Sequence, residues 1–163
     1  MNYEIRSISK SEISSLVILN DAAVPAVNRL SPGDFSKLLI QAKYSLIVSL
    51  AHNLIGFLIA LPPKMFYQSS NYQWFDSNFH SFLYIDRIVI EPSYQRKGLG
   101  HILYKRLIDL NAKEYPRLCC EVNIKPKNEK SLNFHKGYGF RKVGTQKTEN
   151  GAKQVILLEY KLH

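Results

Sequence analysis

Gly98 and Gly100 stand two residues apart in Gln95-Arg96-Lys97-Gly98-Leu99-Gly100-His101, behind the apolar run Ile88-Val89-Ile90. Glycine lets a backbone turn tightly and lets a ligand come close to it. Leu99 to Lys113 has the pattern of a helix, and a helix start offers unpaired N–H groups and a partial positive charge. Arg96 and Lys97 add two cations at the same point. Together these features form an anion cradle suited to phosphate. Two familiar glycine motifs are excluded. Leu103 stands where a dinucleotide fingerprint would have its third glycine, and no Gly-Lys-Ser/Thr follows to make a P-loop.

Two carboxylates interrupt apolar, strand-like runs: Asp86 in Tyr84-Ile85-Asp86-Arg87 and Glu121 in Cys119-Cys120-Glu121-Val122-Asn123. Burying a carboxylate is costly unless it is paired or used in chemistry. A structural pair is the better explanation for Asp86. For Glu121 the structural and chemical explanations weigh equally. No His/Cys cluster has the spacing of metal ligands, so no metal is expected. The neighbouring Cys119 and Cys120 cannot form an unstrained bridge with each other and are expected to be buried packing residues.

The elements that must position these groups follow from periodicity and caps. Tyr3 to Ser7 alternates like a strand, and Ser9-Lys10-Ser11-Glu12 has the form of a capping box opening a helix to about Asn20. A second helix is expected over Pro32 to Ala42, with Leu38, Leu39 and Ile40 as its apolar positions. Tyr44–Leu50 and Leu54–Leu61 flank Ala51-His52-Asn53 and predict a hairpin. No periodicity organises Pro62 to Ser81. Then come a strand over Tyr84–Ile90, a helix over Leu99–Lys113 whose Ile102, Leu103, Leu107 and Leu110 recur at helical spacing, and a strand over Arg117–Asn123. A short helix over Glu129–Lys136 and closing strands over Phe140–Val143 and Val155–Tyr160 complete the series. This order predicts a mixed α/β sheet with a parallel portion, in a single domain over residues 1–163.

Charge is unevenly distributed. Residues 1–94 hold 7 Lys+Arg against 7 Asp+Glu, and residues 95–163 hold 15 against 6, so the whole net charge of +9 lies in the second part. Such a field favours an anionic ligand. Nucleic acid is disfavoured, because no recognition helix or stacking motif accompanies the cations. The longest apolar runs fall short of the ~18–20 residues that span a membrane, and the first residues lack a signal-peptide pattern. A cytoplasmic protein with no membrane partner is the expectation.

Downstream of the cradle stands Asn128-Glu129-Lys130-Ser131-Leu132-Asn133-Phe134-His135-Lys136-Gly137-Tyr138-Gly139-Phe140. In order, spacing and strand-helix context, the pair of segments resembles the GCN5-related N-acetyltransferase (GNAT) superfamily over residues 84–143. Gln95-x-x-Gly98-x-Gly100 is similar to that family's acetyl-CoA motif. The later segment is similar to its Asn-x-x-Ala-x-x-Phe-Tyr-x-x-x-Gly-Phe run. The resemblance implies an acyl-CoA N-acyltransferase fold with a splayed central sheet flanked by helices. It also implies acetyl-CoA as co-substrate. Arg96, Lys97, Gly98, Leu99, Gly100 and His101 would hold the pyrophosphate, Ile88, Val89 and Ile90 would pair with the pantetheine, and Asn128, Ser131 and Phe134 would lie on the far side of the cofactor.

The family usually carries tyrosine where this chain has His135, and that tyrosine commonly protonates the departing CoA thiolate. Histidine can do the same work nearer neutral pH. Glu121 is similarly placed to a glutamate base in some ribosomal-protein N-terminal acetyltransferases, and Asp86 competes for that role. The expected activity is acetyl transfer to an amine, on a small molecule or a peptide, by direct attack in a ternary complex. The alternative is a non-catalytic CoA or acyl-CoA sensor of the same fold. Any one aromatic of Met65 to Phe75 is by default a core residue; as a group they would wall an acceptor pocket or form a homodimer contact, and the sequence leaves those two open.

Overall fold

The computed structural model describes residues 1–163. Its strands are β1 (Glu4–Ser7), β2 (Tyr44–Leu50), β3 (Asn53–Leu61), β4 (Leu83–Ile90), β5 (Arg117–Lys125), β6 (Arg141–Thr148) and β7 (Lys153–Lys161). Its helices are α1 (Ile13–Asp21), α2 (Pro32–Gln41), α3 (Ser70–Asn78), α4 (Leu99–Asn111) and α5 (Glu129–Tyr138). The strands form one sheet in the order β1-β2-β3-β4-β5-β7-β6. β4 runs parallel to β5, whereas the β1–β2, β2–β3, β5–β7 and β6–β7 pairs are antiparallel, so the sheet is mixed as expected. The parallel ladder consists of two residue pairs, Leu83 with Leu118 and Tyr84 with Cys119, and ends there. The residues group into two compact units, Met1–Leu61 with Ile85–Ala112 and Pro62–Tyr84 with Lys113–His163.

In the first unit the local signals act where the sequence puts them. The Glu12 carboxylate accepts the Ser9 N–H at 2.8 Å, and α1 follows after a short 3-10 turn. The Ser31 hydroxyl accepts the Asp34 N–H at 3.1 Å and opens α2, with Pro32 in its first turn. The buried positions of α2 are Phe35 and Leu38, one helical turn apart; Ile40, expected in the core, is 78% exposed. The β2–β3 turn is made by Ala51 and His52 at φ 48° and 66°, the positive values a tight right-twisting hairpin needs. In α4 the buried apolar set is Leu99, Leu103, Tyr104 and Leu107, with Asn111 buried at its end, and Ile102 turns outward at 38% exposure. That helix stops at Asn111, where Ala112 and Lys113 adopt positive φ.

Gly56 is where β3 meets its neighbours most closely. A Cβ there would lie 2.7 Å from Ile90 Cδ1, 2.9 Å from Val48 Cγ1 and 2.9 Å from the Val89 carbonyl oxygen. The carbonyl cannot swing away without disturbing β4. Gly56→Val is therefore expected to destabilise the chain by roughly 1–3 kcal/mol or more, an overpacking cost. A denaturant midpoint unchanged from wild type would contradict this.

The second unit holds the largest departure from the sequence expectation. Ser70–Asn78, inside the stretch expected to be irregular, is helix α3. Ser69 caps it by accepting the Tyr72 N–H at 3.2 Å, and the core takes Tyr72 and Phe75. The helical spacing of Tyr72, Phe75 and Phe79 is diluted by Gln73, Asp76, Ser77 and Asn78, so the apolar stripe is short. Trp74 packs on Gly144 of β6, where a Cβ would meet its Cζ2 at 3.1 Å. β6 runs to Thr148 and not only to Val143, because an edge strand needs no continuous apolar run: Thr145 and Lys147 face solvent. α5 begins under an Asn128 cap and ends at Gly139, φ 115°. Cys119 and Cys120 are both buried, and burial pushes both thiols well above their ordinary range.

Candidate active site

Each candidate group is fixed by its own unit. In the first, β4 leads through a 3-10 turn, Pro92–Tyr94, to the start of α4. The Glu91 N–H donates to the Ile55 carbonyl at 2.8 Å and the Gln95 side chain donates to the Ile90 carbonyl at 3.1 Å, which anchors the turn to the strands. Arg96 and Gly98 take left-handed conformations, φ 62° and 81°, so the chain doubles back just before the helix. No side chain caps this helix start. A Cβ on Gly98 would meet nothing within 4 Å, which leaves open space above the backbone. Gln95, Arg96, Lys97, Gly98 and His101 are exposed, Gly100 is half-buried, and Leu99 is buried as the first anchor of α4. The Lys97 ammonium lies 4.8 Å from the Tyr94 ring centroid. An uncapped helix start, an open glycine and flanking cations fit a bound phosphate group.

Asp86 and the strand behind the cradle have a different character. The Asp86 carboxylate accepts from Arg87 Nε at 2.7 Å, and both side chains are almost fully buried. Arg87 also donates to the Asn20 side chain at 2.8 Å and to the Asn28 carbonyl and side chain at 3.2 and 3.0 Å. Its guanidinium lies 5.9 Å from the Phe35 ring centroid. This network ties α1, α2 and the connection between them to β4. Val89 is buried, and Ile88 and Ile90 are half-buried.

In the second unit, Glu121 projects from β5 and is half-buried. The buried Tyr84 hydroxyl lies 2.8 Å from one of its carboxylate oxygens and 2.7 Å from the other. A tyrosine in a core must find a partner for its O–H, and here the partner is an acid. From the sequence alone Tyr84 is only a strand residue. Its role emerges from the parallel pairing of Tyr84 with Cys119, which sets the two strands side by side.

His135 is buried, 3% exposed, on α5. Its Nδ1 lies 2.8 Å from the Ser131 carbonyl oxygen and 3.2 Å from the Ser131 hydroxyl. A carbonyl oxygen only accepts, so Nδ1 carries the proton and Nε2 is the acceptor nitrogen of the neutral ring. Burial lowers its pKa, opposed in part by the bond to Ser131. The rings of Phe134 and Phe140 each stand edge-on to it with centroids 5.0 Å away. Asn128 and Ser131 are brought together by the cap, Asn128 Oδ1 accepting the Ser131 N–H at 3.2 Å. No group of three His, Cys, Asp or Glu side chains is arranged to hold a metal ion. No helix is long and apolar enough to cross a membrane.

Solved structures share this fold. The ribosomal-protein-S18-alanine N-acetyltransferase of Escherichia coli superimposes with TM-score 0.75 at 17% identity, covering 99% of this chain and 94% of that one. NAA60 of Arabidopsis thaliana, solved with a bisubstrate analogue, gives 0.78 at 17% identity over 98% of both chains. The structure of yncA from Salmonella typhimurium with its cofactor acetyl-CoA gives 0.71 at 16% identity, over 100% of this chain and 95% of that one. At such identities the likeness establishes the fold. Membership rests on the sequence: the acetyltransferase (GNAT) family model matches residues 16–140, from α1 through the cradle to the end of the His135 segment, and the chain belongs to that family.

Proposed function

We propose that the two units act together as one acetyl-CoA-dependent N-acetyltransferase domain, with an amine of a small molecule or peptide as acceptor. The pyrophosphate would lie on the N–H groups of Arg96 to His101, with Arg96 and Lys97 adding charge and Ile88 to Ile90 pairing with the pantetheine. Asn128, Ser131 and Phe134 would flank the other side of the cofactor. The acceptor nitrogen attacks the thioester carbonyl, a C–N bond forms, and the C–S bond breaks. Glu121 takes the proton from the attacking nitrogen. His135, as imidazolium, gives a proton to the departing thiolate. Asp86 is assigned no proton transfer, because its carboxylate is committed to Arg87. The observation that carries this reading is the Tyr84–Glu121 contact, which holds a half-buried carboxylate by both oxygens in an apolar strand. The test is incubation with acetyl-CoA and an amine panel, following free thiol and acetylated product by mass. Tight CoA binding with no thiol released from any amine would favour the sensor.

Gly98→Val is expected to weaken acetyl-CoA binding about tenfold or more, as a left-handed conformation costs a branched residue ~1–2 kcal/mol and the side chain enters the open space. Unchanged affinity by calorimetry in a folded variant would remove the cradle from the site.

The lowered pKa of His135 has a definite sign. The folded chain favours the neutral ring, so this contribution to stability is complete above the ordinary value of 6.5 and is lost as pH falls through the lowered one. Thermal melts of wild type and His135→Phe should therefore diverge on acidification, wild type losing more. Turnover carries the opposite sign: the imidazolium fraction grows as pH falls. A declining limb in kcat with rising pH should be present in wild type and absent in His135→Phe. Identical pH profiles would exclude His135 as the acid.

A further inference from the structure

The Tyr84 hydroxyl stands almost equally far from the two oxygens of Glu121, 2.8 and 2.7 Å, and so symmetric a contact depends on where the phenol ring is held. Two rings of α3 bear on it. Tyr72 meets it edge-on, with centroids 5.3 Å apart and planes at 74°, and Phe75 lies tilted against it at 5.8 Å. Phe82 adds a further ring to the set, 6.1 Å from Tyr72 and 6.3 Å from Phe75. Tyr72 differs from these neighbours in being fixed at its far end. Its hydroxyl donates to the Pro62 carbonyl at 2.6 Å and accepts the Met65 N–H at 2.9 Å. Burial raises its pKa, so the donor to Pro62 keeps its proton. Packing alone would be served by phenylalanine, the residue found at 75 and 82. The hydroxyl ties the ring to the connection between β3 and α3, and a ring held at both ends keeps one tilt.

Pro62, Met65, Tyr72, Phe75, Tyr84 and Glu121 all belong to the second unit, so this series of contacts runs within one compact body. We propose that Tyr72 is a positioning residue for the base: pinned through its hydroxyl, it fixes the Tyr84 ring, and Tyr84 fixes the Glu121 carboxylate. The inference rests on Glu121 as the base of the acetyltransferase reading, and it extends that site into α3, a helix to which the reading assigns no reacting group. A carboxylate that takes a proton from an attacking nitrogen works over a narrow range of positions, and a misplacement of about 1 Å can cost on the order of 10²-fold in rate. Such groups are held by neighbours whose own rotamers are locked by packing and hydrogen bonds. Tyr72 is locked by both.

A double-mutant cycle separates positioning from simple packing, because residues that act through one another do not add. Tyr72→Leu removes the ring contact and the pin together. On an accepted amine it is expected to lower kcat about tenfold while the acetyl-CoA dissociation constant stays unchanged. Tyr72→Phe restores the ring without the pin and should recover part of that loss. In a Tyr84→Phe background, Tyr72→Leu should add less than about twofold, since the hydroxyl it positions is already gone. Ser69→Ala is the stability control: it deletes the α3 cap and should lower the melting temperature with kcat unchanged. Fluorescence of Trp74, the one tryptophan of the chain, reports whether α3 is still docked in each variant. Where Tyr72→Leu undocks it, Tyr72→Phe carries the cycle, with a loss of about threefold expected and the same lack of additivity. Wild-type kcat in both Tyr72 variants, or a full loss repeated in the Tyr84→Phe background, would overturn the proposal and leave Glu121 as the base. Wild-type turnover in Glu121→Gln would remove the base and this inference with it, leaving acetyl transfer itself standing. Thiol release with no amine at all would end both readings.

Discussion

Glu121→Gln is expected to lower kcat by about 10²–10⁴-fold, the usual size of a general-base contribution, while leaving the acetyl-CoA dissociation constant unchanged. The substitution keeps the shape and still accepts the Tyr84 hydroxyl, but it cannot take a proton. An amine acceptor arrives largely as ammonium, and with the carboxylate gone it must lose its proton to water before attack. The defect should therefore shrink as pH rises and more acceptor is already neutral. Tyr84→Phe tests the arrangement from the other side. It removes the hydrogen bonds to both carboxylate oxygens without removing the base, so its loss should be smaller and should appear partly as a shifted pH dependence. Wild-type turnover in Glu121→Gln on an accepted amine would remove Glu121 from the mechanism and leave water or the acceptor itself as the base.

Asp86→Ala should produce the largest loss of stability. It strips the carboxylate from Arg87, whose guanidinium is nearly fully buried, and breaking one partner out of a buried pair typically costs ~3–5 kcal/mol. The three contacts from Arg87 to Asn20 and Asn28 soften that loss without neutralising the charge. Denaturant unfolding measures it directly. Asp86→Ala with Arg87→Met should recover part of the stability, since the pair costs more to break than to replace by apolar side chains. The competing role is tested in the same series. If Asp86→Asn stays folded but loses turnover on the scale expected for Glu121→Gln, the base is Asp86.

What the sequence revealed and what it hid divide along a physical line. Features set by a few neighbouring residues are legible: the Ser9–Glu12 capping box, the helix opening at Pro32, the Ala51-His52 turn, and the glycine-rich start of α4. Features set by distant segments are not. Tyr84 and Glu121 are 37 positions apart and meet only because β4 and β5 pair for two residues before their ladder ends. Helix α3 is hidden in the sequence because its stability comes from packing: Tyr72 on Phe82 and Tyr84, and Trp74 on Gly144. Its own sequence offers only a short apolar stripe. The position of His135 was read from the motif, but the fixed tautomer depends on the Ser131 carbonyl, which no side-chain pattern can announce. Ile40 and Ile102 fit the apolar pattern of their helices, yet the helices turn them outward, because periodicity does not say how far round a helix the core reaches.

Cys119 and Cys120 have a practical consequence at the bench. Thiol reagents attack the thiolate, and burial suppresses the thiolate of both residues while also closing off access. In the folded state the protein should behave towards maleimides as though it had no cysteine. Any new thiol on an exposed position, such as Ser77→Cys on α3, would then be the single site for a dye or spin label. Fluorescence and resonance measurements of ligand binding can therefore begin from the natural sequence, without first removing the two native sulfurs from its core.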